Sequence, residues 1–122
     1  MTKTILLADD STTSRLIVGQ CLQSAGYEVL EARDGIEALD LLDGRPIHLV
    51  VSDLVMPRLD GLGLARATRE QTPYRFTPIL MLTSVTREDL KSQGRALGIR
   101  AWLAKPVQAA ELLDAVARLL GT

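Results

Sequence analysis

The chain is poor in aromatic residues. Tyr27, Tyr74, Phe76 and Trp102 are all it has in 122 residues, which leaves little for a base-stacking surface. It has one cysteine, Cys21. A single thiol closes no internal disulfide and makes no CxxC metal pair, so within its helical pattern Cys21 reads as a small buried hydrophobe. An excess of one charge is also missing. Fourteen basic and 15 acidic residues give a formal net charge of −1, with no block of like charge. Neither nucleic acid nor a membrane surface is attracted globally to such a chain. Long apolar runs are absent as well: the first, Ile5 to Ala8 behind Lys3, is too short for a signal-peptide core or a membrane span. A soluble cytoplasmic protein of one domain, residues 1–122, is expected, with 47% hydrophobic residues to build a core.

What is present is an alternation. Apolar runs at Ile5–Ala8, Tyr27–Ala32, Leu49–Val51, Ile79–Leu82 and Ala101–Ala104 are separated by amphipathic stretches. The first, third and fourth runs are continuous, as in strands covered on both faces. Tyr27–Ala32 alternates and reads as an edge strand. Ile17, Val18, Cys21, Leu22 and Ala25 form one helical stripe, and Leu112, Leu113, Val116, Ala117 and Leu120 another. Asp34 with Glu37 three residues on is a capping-box pattern opening a helix over 34–42. Further helices are expected over 61–70 and 87–97. Gly26, Gly44, Gly98 and Gly121 fall where helices end and left-handed caps are needed. Gln71 to Pro78 is the one Pro-marked loop of any length. Five strand–helix units imply an α/β fold: a doubly wound, five-stranded parallel sheet with helices on both faces.

In such sheets ligands bind beyond the carboxyl ends of the strands. Asp9 and Asp10 follow the first strand, Asp53 the third, Thr83 and Ser84 the fourth, and Lys105 with Pro106 the fifth. The second is followed only by the capping turn at Asp34. Three clustered carboxylates repel one another and raise at least one pKa unless a cation joins them. An all-oxygen ligand set with room for waters favours Mg²⁺. One acid of the adjacent pair can ligate directly and the other through water. Asp53 can then act as a nucleophile on phosphorus, giving an aspartyl-phosphate. Mg²⁺ and Lys105 would neutralise the phosphoryl oxygens, and the Thr83 hydroxyl can donate a hydrogen bond to one of them.

The stretches "LLADDS", "LVVSDLVMPRLDGLGL", "PILMLTS" and "GIRAWLAKP" together resemble the receiver domain of the bacterial two-component response regulators, close to the single-domain chemotaxis (CheY-like) type. The resemblance implies a flavodoxin-like sheet of order 2-1-3-4-5. It implies that Asp53 is the phosphoacceptor and that Asp9, Asp10, Asp53 and the Val55 main-chain carbonyl hold Mg²⁺ or Mn²⁺, with Asp10 in direct contact. Thr83 takes the place of the switch hydroxyl, Trp102 that of the switch aromatic, and Lys105 that of the phosphate-contacting lysine. Lys105–Pro106 is expected to be cis, since such bonds are nearly confined to proline. The implied activity is phosphotransfer to Asp53 from a histidine kinase or phosphotransfer protein, in a chain that is otherwise no enzyme. A protein target is then bound through the face of helix 4, strand 5 and helix 5. Two departures stand out. Trp102 replaces the more usual Tyr or Phe. Val55 and Val85 stand where polar side chains often place the hydrolytic water, so slow self-dephosphorylation is expected.

Each residue also has a plainer reading. Asp9 and Asp10 alone suit a solvated helix start, and Thr83 and Ser84 alone suit a helix cap. Asp53 behind "LVV" is costly to bury unless paired. His48, with no second ligand nearby, reads as structural or solvated. Gly61-Leu62-Gly63 is no dinucleotide loop, because position 66 is arginine. Arg66, Arg69, Arg75, Arg87, Lys91, Arg95 and Arg100 read as a solvated face. Two rival functions compete for the same residues. A receiver-shaped interaction module that works without phosphorylation would be expected to lack an acid or the lysine. A hydrolase using an aspartyl-phosphate needs a second acid two residues after the nucleophile, where Val55 stands.

Overall fold

The five apolar runs form β1 (Thr4–Ala8), β2 (Glu28–Ala32), β3 (Leu49–Asp53), β4 (Ile79–Thr83) and β5 (Ile99–Ala104). They alternate with α1 (Thr12–Ser24), α2 (Gly35–Leu41), α3 (Gly61–Glu70), α4 (Glu88–Ala96) and α5 (Ala109–Leu120). These elements come from a computed structural model that describes residues 2–84 and 88–121. Val85 and Arg87 therefore lie outside the described residues. All strand pairs are parallel, in the order β2-β1-β3-β4-β5. The chain leaves β1 to one side and returns to the other for β3. The strand order thus reverses between β1 and β3, and their carboxyl ends border an open crevice.

Burial explains the different run patterns. β1, β3 and β4 are buried along their whole length, whereas β2 at the edge is buried only at Ala32. Leu6, Ala8, Val50 and Met81 point to one face, where Ala38 of α2, Leu42 just after it, and Leu64 and Ala65 of α3 pack. Ile5, Leu7, Val51 and Leu82 point to the other, against Val18 and Leu22 of α1 and Leu112 and Val116 of α5. Each fully buried leucine contributes about 1.5–3 kcal/mol. Among the described residues, no helix is long and apolar enough to cross a membrane.

Side-chain caps fix where the helices start. Ser11 accepts from Ser14 N, Asp34 from Glu37 N and Asp60 from Gly63 N. The box at α2 closes one residue early. Glu37 Oε1 accepts from Arg33 N at 3.0 Å, not from the cap residue itself. Of the two readings of His48, the structural one fits: its Nδ1 accepts from Thr4 N and its N–H donates to the Thr4 carbonyl, both at 2.9 Å, which prolongs the pairing of β1 with β3.

Two features of the 71–78 loop escaped the sequence. Thr72–Tyr74 forms a short 3₁₀ turn, and Tyr74 is buried. Its hydroxyl accepts from Gly44 N and donates to the Arg45 carbonyl, both at 2.8 Å. Tyr74→Phe is expected to cost about 1 kcal/mol in urea unfolding. That is the low end for a lost hydrogen-bond pair, because both backbone partners are near solvent.

Arg69 was read as a surface charge, and this is corrected. It is half-buried, and its guanidinium donates to the carbonyls of Leu97 (2.7 Å), Tyr74 (2.9 Å), Arg75 (2.7 Å) and Thr77. One cation therefore ties the end of α3 to the turn before β5 and to the loop before β4.

Candidate functional site

Asp9 continues β1 and is completely buried. Its N–H donates to the Ala32 carbonyl and its own carbonyl accepts from Arg15 Nη1 at 2.7 Å. Its carboxylate accepts from Ser11 N at 2.9 Å, from Ser14 Oγ at 2.6 Å and from Lys105 Nζ at 3.2 Å. The start of α1 is thus built around this side chain. Asp10, next in the chain, is exposed. Asp53 ends β3, is 9% exposed, and accepts from Lys105 Nζ at 3.1 Å. One carboxylate oxygen each from Asp9, Asp10 and Asp53 can be chosen so that all lie within 4.8 Å of one another. Thr83 ends β4 and is buried. Its carbonyl accepts from Lys105 N at 3.0 Å, which fixes the root of the lysine. Lys105–Pro106 is cis.

The electrostatics follow from burial and crowding. Burial, above all, raises the Asp53 pKa. The Lys105 ammonium pulls it down, and Asp9 and Asp10 push it up again, leaving it above the ordinary 3.8. Burial opposes the Lys105 charge, but the hydrogen bond to Asp53 and the charges of Asp9 and Asp53 outweigh it, so its pKa is raised. Three carboxylates against one ammonium leave a charge of −2 at a partly dry strand edge. That charge and an all-oxygen donor set fit a hard divalent cation such as Mg²⁺. Asp10 is the acid of the pair open to solvent, while both Asp9 oxygens already accept protein donors.

Val55 lies in the loop after β3, with its side chain 64% exposed. Trp102, on β5 beside Met81, is half-buried against the core face that carries Met81. Its indole Nε1 is buried and has no hydrogen-bond partner among the described residues. A Cβ on Gly94 of α4 would lie 2.5 Å from the ring, so the bulky indole fits because that residue is glycine.

Sequence reasoning missed the surface beside the acids. A groove of about 490 Å³ runs between α1 and the turn after β5, lined by Ser11, Ser14, Ile17, Lys105, Pro106 and Val107. Ile17 is 59% exposed there, and Leu16, its neighbour in α1, is 55% exposed. The signal was present: Ile17 sat in the apolar stripe assigned to the core, and Leu16 just beside it.

A doubly wound sheet with carboxylates from two strands and a lysine from a third at its switch point defines a narrow class of α/β proteins. Residues 5–117 match the response regulator receiver domain family, and the chain belongs to it. It is a receiver domain of two-component signalling, a signalling domain of the CheY-like kind. The chain is 35% identical over 113 residues to the transcriptional regulatory protein PdtaR of Mycobacterium tuberculosis, covering 92% of this chain but 54% of that protein. It thus spans about half the length of that relative. The structure of the chemotaxis protein CheY4 of Vibrio cholerae superposes with a TM-score of 0.94 at 41% identity, over 98% of this chain and all of that one. The receiver domain of the sensor histidine kinase PA1611 of Pseudomonas aeruginosa, which holds a magnesium ion in its active-site cleft, gives 0.90 at 30% identity, with both chains fully covered.

Proposed function

We propose that this chain is a Mg²⁺-dependent phosphoacceptor switch, with Asp53 as the acceptor. The observation that carries this reading is the Lys105 ammonium, 3.2 Å from Asp9 and 3.1 Å from Asp53. It stands beside the attacking carboxylate, where a phosphoryl oxygen would need a counter-charge. Asp9, Asp10, Asp53 and the Val55 carbonyl would hold the cation, which supplies charge neutralisation when bound. An Asp53 oxygen attacks phosphorus, the bond from phosphorus to the donor's leaving atom breaks, and Lys105 and the Thr83 hydroxyl bind the transferred oxygens. The phosphodonor is a histidine kinase or phosphotransfer protein in the cytoplasm. The downstream target binds the α4–β5–α5 face, and Trp102 takes part in the switch.

The test is incubation with Mg²⁺ and acetyl phosphate followed by intact mass measurement. A labile phosphoryl adduct on the wild type, absent from Asp53→Asn, is expected. No adduct on the wild type, under conditions where another receiver reacts, would favour an interaction module that works without phosphorylation.

Two further outcomes are expected. The groove is largely apolar and ends at Lys105, whose ammonium reaches Asp53, so it suits the approach of a protein donor. Ile17→Asp should slow transfer from the kinase at least about tenfold, by placing a charge in that interface, yet leave labelling by acetyl phosphate unchanged. Loss of both would point to misfolding. With valines at 55 and 85, the phosphoryl group should be long-lived. Val55→Asn with Val85→Glu should shorten its half-life, and equal half-lives would refute the role of these positions.

A further inference from the structure

We propose that Arg58 is a positioning residue for the metal site: its ion pair with Asp34 holds the β3–α3 loop in the shape that presents the Val55 carbonyl. The inference rests on the reading of Asp9, Asp10, Asp53 and Val55 as Mg²⁺ ligands.

The loop after β3 contains a tight three-residue turn. Leu59 N donates to the Pro57 carbonyl at 2.8 Å, and the residue between them, Arg58, has φ +69°. A hydrogen-bonded turn of this kind is rare and strained for a residue with a Cβ. Glycine or asparagine is the usual occupant of positive φ. Here it is a long cation, and its far end is used. Arg58 Nε and Nη2 both reach Asp34 Oδ2, at 2.9 and 2.7 Å. The other oxygen of Asp34 caps α2 through Glu37 N at 2.8 Å. One carboxylate therefore fastens the loop to a helix start.

The two elements lie very close. A Cβ on Gly35, the first residue of α2, would come within 2.2 Å of the Leu59 carbonyl. At the other end of the loop, Gly61 N donates to the Leu54 carbonyl at 2.8 Å. Val55 lies between these anchors, three residues before Arg58. A strained backbone persists when its surroundings over-determine it, and the Arg58–Asp34 pair supplies that constraint. β2 sends no side chain to the acidic cluster. Through the helix cap that follows it, β2 still supports the cluster.

Calorimetric titration of MgCl₂ into the unphosphorylated chain tests this. Arg58→Gly and Asp34→Ser remove the same ion pair from opposite ends, and serine still caps the helix. Each should weaken Mg²⁺ binding about tenfold, at the low end of what losing outer-shell support costs a metal site. The double variant should be no weaker than either single one, since both break one interaction. Arg58→Gly should melt no lower than wild type in EDTA, because glycine relieves the turn, and this separates lost positioning from lost folding. Single variants that bind Mg²⁺ as tightly as wild type, or a double variant that loses both factors, would overturn the proposal. Should Asp34→Ser fail to fold, Arg58→Gly alone decides. A wild type that takes up no Mg²⁺ would instead refute the metal reading, and the inference with it.

Discussion

Asp53→Asn is expected to abolish phosphoryl uptake and, at the same time, to make the metal-free protein more stable at pH 7. The first effect is chemical: an amide oxygen is no nucleophile toward phosphorus under these conditions. The second follows from the raised pKa of Asp53. A carboxyl whose folded pKa lies above its unfolded value favours the fold while it is protonated. That contribution is lost as pH rises from the ordinary 3.8 through the higher folded value. At pH 7 the ionised, crowded carboxylate therefore works against the fold, and asparagine removes the charge. In EDTA the variant should melt a few degrees above wild type at pH 7, and the gap should close as pH falls below about 4. Mg²⁺ should raise the wild-type melting temperature more than the variant's, since a ligand stabilises the state that binds it. A variant that melts lower than wild type at pH 7 in EDTA would show that Lys105 outweighs the burial and crowding. Lys105 itself, with a raised pKa, contributes stability below its ordinary 10.5 that is lost as pH rises through the higher folded value.

Arg69→Met is expected to lower the unfolding free energy by about 3 kcal/mol, which for a domain of this size is about 10 °C in melting temperature. The methionine retains most of the apolar stem but leaves the carbonyls of Leu97, Tyr74, Arg75 and Thr77 without their shared donor. Hydrogen bonds to a charged group contribute about 1.5–3 kcal/mol each. Water reaches the exposed members of the set, so the sum is not realised. Arg69→Lys should recover less than half, because a point charge cannot serve carbonyls spread around a planar fork. Urea unfolding measures both, and a methionine variant within about 0.5 kcal/mol of wild type would refute the clamp.

The contrast between Arg69 and Lys105 shows what was legible in the chain. Lys105 follows an apolar run, and so do Asp9, Asp10 and Asp53. Parallel strands bring such positions to one edge whatever the details of packing. The sheet, its edge strand and the acidic cluster could therefore be read from run length, burial pattern and strand-end chemistry. Gly26, Gly44, Gly98 and Gly121 were equally legible, and all four have positive φ. Arg69 was not, because its partners are main-chain carbonyls. Every residue has one, and nothing marks the four that converge. Arg58 was hidden for a related reason. Positive φ is signalled by glycine, and the chain uses an arginine whose carboxylate partner is 24 residues away. Nor did the chain show how Trp102 fits half-buried against the core. The space comes from Gly94, on a different element.

The same indole gives the molecule a built-in optical label. It is the chain's one tryptophan, on β5, three residues before the lysine that follows that strand and bridges the acids. Its ring is wedged against α4, and its N–H has no protein partner among the described residues. Emission from the unlabelled chain therefore reports on a single place, where the end of β5 meets a helix of the proposed target-binding face. A shift in wavelength on adding cation or phosphodonor would reveal movement there without any dye or engineered residue.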